Sequence, residues 1–209
     1  MGKRNEFNSE RARQMVAQEA ARLIVDQGIR DYRQAKQKAA ERLGFNNRGS
    51  LPGNIEIEQA VAEHLKLFAG EEHQQLLQNM RACALVVMQM LASFSPRLVG
   101  PVLAGTADGN SAVNLHVFSD PQELVGFHLG DMNIAYKPYE RRLKSSRHNV
   151  ETYFGYEFRR DENIVQATVF PYDGLRQAPI SPINGKPMQR ADERAVQALL
   201  ADSSSALVY

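Results

Sequence analysis

The stretch from Leu98 to Asp120 limits what this chain can become more than any other. An apolar run leads from Leu98 into Ala104-Gly105-Thr106, a short polar loop follows, and apolar residues then alternate from Val113 to Phe118. Period-two alternation marks a strand with one buried face, so the segment predicts a strand, a glycine turn and a partner strand. Pro101 falls inside the first run and has no N–H to give to a central ladder. The paired part of that strand is therefore expected at Val102 and Leu103, with Pro101 at its entrance or on an edge.

Upstream the chain reads as helices. From Ser9 the residues Ala12, Val16, Ala20, Leu23 and Ile24 recur at spacings of three and four, which predicts one helix ending before Gly28. Met1 to Phe7 is polar and expected to fray. Asp31 is placed to cap a second helix, with Tyr32, Ala35, Ala39 and Leu43 on its apolar side and Gly44 at its close. Its other side, with Arg33, Lys36, Lys38 and Arg42, could touch phosphate or RNA, but a solvated helix face is the simpler reading. Asn46 to Asn54 is turn-rich and predicts a linker. A third helix runs to about Phe68 with Ile57, Val61, Leu65 and Phe68 on one side. A fourth runs from Glu71 to Phe94, with Leu77, Met80, Ala84, Val87, Leu91 and Phe94 as its seam. His64 lies beside the third stripe with no carboxylate or histidine four residues away, so it reads as a packed or surface residue.

Downstream, Asp120 as N-cap and Pro121 at the first helical position predict a helix that turns Leu124, Val125, Phe127 and Leu129 inward until Gly130. Ile134 to Tyr139 reads as a strand broken at Pro138. Glu140 to His148 reads as a basic connector with Arg141, Arg142, Lys144, Arg147 and His148. Tyr153 to Arg159 and Val165 to Val169 read as an antiparallel hairpin. A turn-rich tail, Pro171 to Pro187, precedes a short helix from Asp192 to Leu200. This order of elements predicts an α+β fold: a helical region, residues 1–70, packed on an α+β domain, residues 71–209, with a mixed or antiparallel sheet.

The central stretch resembles the signature of the nucleotidyltransferase-fold superfamily. In that family a helix-strand unit ends in Gly-Ser or Gly-Gly, and the next strand carries Asp-h-Asp or Asp-h-Glu, where h is apolar. Leu103-Ala104-Gly105-Thr106 matches the first half, with Thr106 in place of Ser, and Asn114-Leu115-His116-Val117 falls at the metal-binding strand. Seven residues, Ala107 to Val113, lie between Thr106 and Asn114, a short connection for the family. The resemblance covers this stretch tightly and residues 76 to 170 loosely. It implies a turn that holds nucleotide phosphates and a pair of carboxylates that bind the metals of nucleotidyl transfer. It also implies a third carboxylate from a later strand, for which Glu157 is the candidate. The first two carboxylates are replaced here by Asn114 and His116. Mg²⁺ favours anionic oxygen ligands in octahedral geometry, so the resemblance implies the architecture and argues against two-metal catalysis. The whole chain also resembles an uncharacterised group of proteobacterial proteins that sometimes carries the label of the ligase joining UDP-N-acetylmuramate to alanine. The ATP-binding phosphate loop such a ligase needs is missing.

Composition narrows the function classes. Net charge is +1, so the whole molecule is no electrostatic magnet for nucleic acid, although residues 1–48 hold 11 Lys or Arg against 6 acids. The single Cys83 excludes an internal disulfide or a cysteine zinc cluster. No apolar run suits a signal segment or a membrane span, so a cytoplasmic protein without membrane contact is expected. No P-loop, dinucleotide fingerprint, zinc-protease or serine-hydrolase motif is present. Two readings remain. In the first, a catalytically degenerate nucleotidyltransferase-fold protein binds a nucleotide, an RNA end or a protein partner, with no cofactor. Gly105 and Thr106 form a residual phosphate turn, and Ser111, Asn114, His116, Arg141 and Arg142 line it. In the second, an active nucleotide-dependent enzyme uses His116 as base or metal ligand, Asp108 or Glu157 supplies the missing charge, and Mg²⁺ is required. The second asks three substitutions to be compensated at once.

Overall fold

The computed structural model describes residues 2–29, 31–45, 51–68, 70–146, 149–183 and 185–205. The chain divides into two compact units, Met1–His73 and Gln74–Tyr209.

The first unit is helical. It contains α1 (Gly2–Gln27), α2 (Tyr32–Arg42) and α3 (Asn54–Phe68). The Asp31 carboxylate accepts from the Arg33 N–H at 2.7 Å and starts α2, and Gly44, at φ +71°, turns the chain out of its C-terminus. Val16, Ala20, Leu23, Ala35, Ala39, Ile57 and Val61 form a closed core. The small alanines let α1 and α2 approach closely. The expected fraying before Ser9 gives way to helix from Gly2, and most of the expected linker, including Arg48-Gly49-Ser50, lies outside the described residues.

The second unit is an α+β fold built on one five-stranded sheet. It contains α4 (Gly70–Met90, begun in the first unit), a 3-10 turn at Ala92–Phe94, β1 (Arg97–Val99), α5 (Pro101–Ala104) and β2 (Val113–Phe118). There follow α6 (Glu123–Asp131), β3 (Tyr136–Lys144), β4 (Val150–Arg160), β5 (Asn163–Phe170), a 3-10 turn at Tyr172–Leu175 and α7 (Glu193–Ser205). Strand order is β1-β2-β5-β4-β3, and only the β2/β5 pair is parallel. Alternation assigns the two faces. Leu98, Val113, Leu115, Val117, Val165, Ala167 and Val169 join Met80, Ala84, Val87, Leu91, Val125 and Leu129 from the helices in one core. The opposite face carries Asn114, His116, Glu157, Gln166 and Thr168.

Four expectations need correction. The first strand stops at Val99, short of Gly105, because Gly100 at φ +74° turns the chain and Pro101 then opens a helix, where its fixed φ suits the first position and no N–H is needed. Asp120 does not cap α6. Its carboxylate accepts from the Tyr172 N–H at 3.0 Å, the Asp120-Pro121 peptide is cis, and the helix starts at Glu123. Leu124 and Phe127 face outward, 44% and 66% exposed, because Val125 and Leu129, four residues apart, share with Gly126 the one helical face that meets the core. Finally, Arg141, Arg142 and Lys144 belong to β3, an edge strand that tolerates Pro138, and not to a connector; Arg147 and His148 lie outside the described residues.

Candidate functional site

Three cross-strand rows organise the face opposite the helices. His116 is level with Arg97 of β1 and Thr168 of β5, Thr168 with Gly155 of β4, and Gly155 with Tyr139 of β3. On one side of that row, Asn114, Gln166, Glu157 and Lys137 are level across β2, β5, β4 and β3. On the other side, Phe118 is level with Phe170, and Tyr153 with Arg141.

Gly155 makes the middle row possible. A Cβ there would lie 2.4 Å from Cζ of Tyr139, so only glycine lets the tyrosine ring cross β4. The Tyr139 hydroxyl then shares a 2.7 Å hydrogen bond with Thr168 Oγ1 on the strand beyond. Arg141 lies beside that ring, its Cζ 5.5 Å from the centroid. Its guanidinium donates to Asn114 Oδ1 at 3.0 Å and to Gln166 Oε1, and so joins β3 to β5 and β2. Gln166 in turn donates to Glu157 Oε2 at 2.7 Å.

His116 is 1% exposed and packs on Phe170 at 4.4 Å between ring centroids. Its Nδ1 accepts from Arg190 Nε at 3.0 Å, from a residue 74 positions along the chain. Burial, then Arg190 and Arg141, push the imidazole well below its usual pKa, so it is neutral with the proton on Nε2. Arg190 lies over the rings of Phe118 and Phe170 at 5.0 and 5.2 Å and donates from Nη1 to the Gly174 carbonyl at 2.6 Å. Its Nη2 is buried and, among the described residues, has no hydrogen-bond partner. Burial, then Arg97, bring this guanidinium down to about 10, so it is still charged at neutral pH. Among the described residues, Arg97, Arg141 and Arg190 form no ion pair with a carboxylate.

The other expected site residues lie apart. Gly105, at φ +81°, is the left-handed C-cap of α5, and its N–H and that of Thr106 both donate to the Pro101 carbonyl, at 2.9 and 3.0 Å. Asp108 and Ser111 close their own loop. Ser111 Oγ donates to Asp108 Oδ1 at 2.8 Å, which also accepts the Asn110 N–H at 3.0 Å. Arg142 follows Arg141 on β3, so its side chain leaves from the other face of the sheet. The structure therefore brings together Asn114, His116, Arg141 and Glu157. It adds Arg97, Tyr139, Gln166, Thr168 and Arg190, which sequence reasoning did not find. Gln166 and Thr168 left a signal, as polar residues alternating with Val165, Ala167 and Val169 in the pattern of Asn114 and His116. Arg190 left none, because it arrives from an irregular segment.

Among the described residues no group of three or more His, Cys, Asp or Glu is arranged to hold a metal ion, and no helix is long and apolar enough to cross a membrane. Cavities of about 830, 440 and 280 Å³ are lined by none of Gly105, Thr106, Asn114 or His116. Comparison with protein-family models, with curated proteins and with solved structures returns no match.

Proposed function

We propose that this chain is a catalytically silent protein of the nucleotidyltransferase fold that binds the phosphate end of a nucleotide or RNA through guanidinium groups in place of metal ions. One observation carries the reading: among the described residues, three arginines without acid partners gather on the face that bears Asn114 and His116, and Arg190 keeps a buried N–H with no acceptor. A buried guanidinium N–H without an acceptor costs stability, and a phosphate oxygen that accepts a charge-assisted hydrogen bond offsets that cost.

Local architecture supports the family resemblance with a changed register. A long helix, α4, precedes β1, a glycine turn follows, and β2 returns antiparallel. The turn at the end of the strand is Gly100-Pro101, which lengthens the connection to Asn114 from seven residues to twelve, Val102 to Val113. A Cβ on Gly100 would stand 3.5 Å from Asn114 Nδ2, so the turn lies against the site. Pro101 offers neither a hydroxyl nor an N–H, so the arginines must supply the donors.

Mg²⁺ does not fit these residues. The side chains level with one another on β2 and β5 are neutral, and the carbonyl oxygens of Asn114 and Gln166 already accept from Arg141. The reading in which His116 acts as base has less support: its Nδ1 lone pair accepts from Arg190, its ring is buried, Asp108 serves its own loop and Glu157 serves Gln166.

Calorimetric titration of pyrophosphate and nucleoside diphosphates, in EDTA and in Mg²⁺, tests the proposal. Binding is expected in EDTA, and Arg141→Ala is expected to weaken it by about tenfold or more, the worth of one charge-assisted hydrogen bond. A strict requirement for Mg²⁺, release of pyrophosphate from a triphosphate, or no binding in any arm would each overturn it.

A further inference from the structure

We propose that the cavity of about 440 Å³ lined by Tyr153, Glu151, Asp173, Gln177 and the Phe170-Pro171 corner is a base pocket for a guanine nucleotide. This inference rests on the reading above, that the arginine face holds the phosphates.

The pocket and the arginine face share residues. Tyr153 is level with Arg141 on the neighbouring strand and faces the same side, so the two side chains leave the sheet about 5 Å apart. Phe170 lines the pocket while Arg190 lies over its ring at 5.2 Å, and Gly174, also in the wall, accepts the Arg190 Nη1–H at 2.6 Å. A phosphate on Arg141 or Arg190 is thus within one nucleotide's length of an aromatic surface. Tyr153 is held for that role: its ring packs on Phe170 at 4.4 Å between centroids, and its hydroxyl donates to Glu151 Oε2 at 2.6 Å.

The polar groups of the wall choose the base. Hydrogen bonds from Ser145, then Tyr153 and Asn149, hold the Glu151 carboxyl below the usual carboxylate range, so it presents anionic acceptors. Asp173 adds a second carboxylate, and among the described residues no Lys or Arg lines the cavity. A wall rich in acceptors favours an edge rich in donors. Guanine offers N–H donors at adjacent ring and exocyclic nitrogens, whereas uracil offers one ring N–H between two carbonyl acceptors that the carboxylates would repel. Stacking on Tyr153 adds affinity without depending on the base.

Titrating the full chain with GDP, UDP and pyrophosphate, all in EDTA, tests the assignment. GDP is expected to bind at least about tenfold more tightly than pyrophosphate and more tightly than UDP, the gain expected for one stacked base. Asp173→Asn, at an exposed position, and Tyr153→Leu are each expected to bring the ratio of GDP to pyrophosphate affinity toward one. If pyrophosphate binds and GDP and UDP bind no better, the pocket assignment fails while the phosphate reading stands. A preference for UDP also overturns the assignment. If none of the three binds, the phosphate reading fails and takes the pocket with it.

Discussion

The fold changes the acid–base chemistry of His116. The unfolded chain takes up a proton near pH 6.5, whereas the folded imidazole, buried and facing Arg190 and Arg141, does not. Its contribution to stability is therefore complete above about pH 6.5 and is lost as pH falls below that value, by up to about 1.4 kcal/mol per pH unit for one proton. Urea unfolding between pH 7.5 and 5.5 should show this decline, and His116→Gln should flatten it by that amount. If the slopes are equal, His116 is not held neutral. Gly155 gives a second test. Alanine there would push against the Tyr139 ring, whose Cζ stands 2.4 Å from the added Cβ, and Thr168 would lose its partner. Gly155→Ala should cost about 1–3 kcal/mol in urea unfolding, the range for overpacking, and adding Tyr139→Leu should recover part of it. The value of Gly155 could not be read from the sequence, since an unremarkable glycine within an alternating strand gives no hint of the ring that crosses it.

Elements decide which of two neighbouring arginines matters. On a strand, successive side chains leave from opposite faces, so Arg141 meets Asn114 and Gln166 while Arg142 points away. A connector would have allowed both to reach one ligand. If this face binds pyrophosphate as proposed, Arg142→Ala should leave the affinity unchanged within error and Arg141→Ala should weaken it; equal losses from both would show that the strand does not sort them. The element that sequence reasoning placed least well is the turn after β1. Pro101 reads as a flaw in a strand when the apolar run is taken whole, yet it is the natural first residue of α5 once Gly100 ends the strand. The same local ambiguity shifted α6, because Asp120 found a partner at Tyr172 that is distant in sequence and left the cap unmade.

At the scale of the whole molecule, two cores stand apart in composition. One draws on Val16 through Val61 and the other on Met80 through Val196, with no residue in common. Ile57 and Leu115 are each fully buried, one in each core. Ile57→Ala and Leu115→Ala should each cost about 2–5 kcal/mol, and calorimetry or two-probe unfolding should show that each lowers a different transition. A single transition shifted equally by both would mean that the units unfold as one. The sequence by itself determined the helices of the first unit, the long helix α4, the alternating strands β2, β4 and β5, and hence the α+β class, because caps and hydrophobic period act between residues a few positions apart. Tertiary structure alone decided the site. Arg190 meets His116 across 74 positions and Arg141 crosses two strands to Asn114. Such meetings depend on sheet order and register, which the packing of the whole unit fixes and no local pattern encodes.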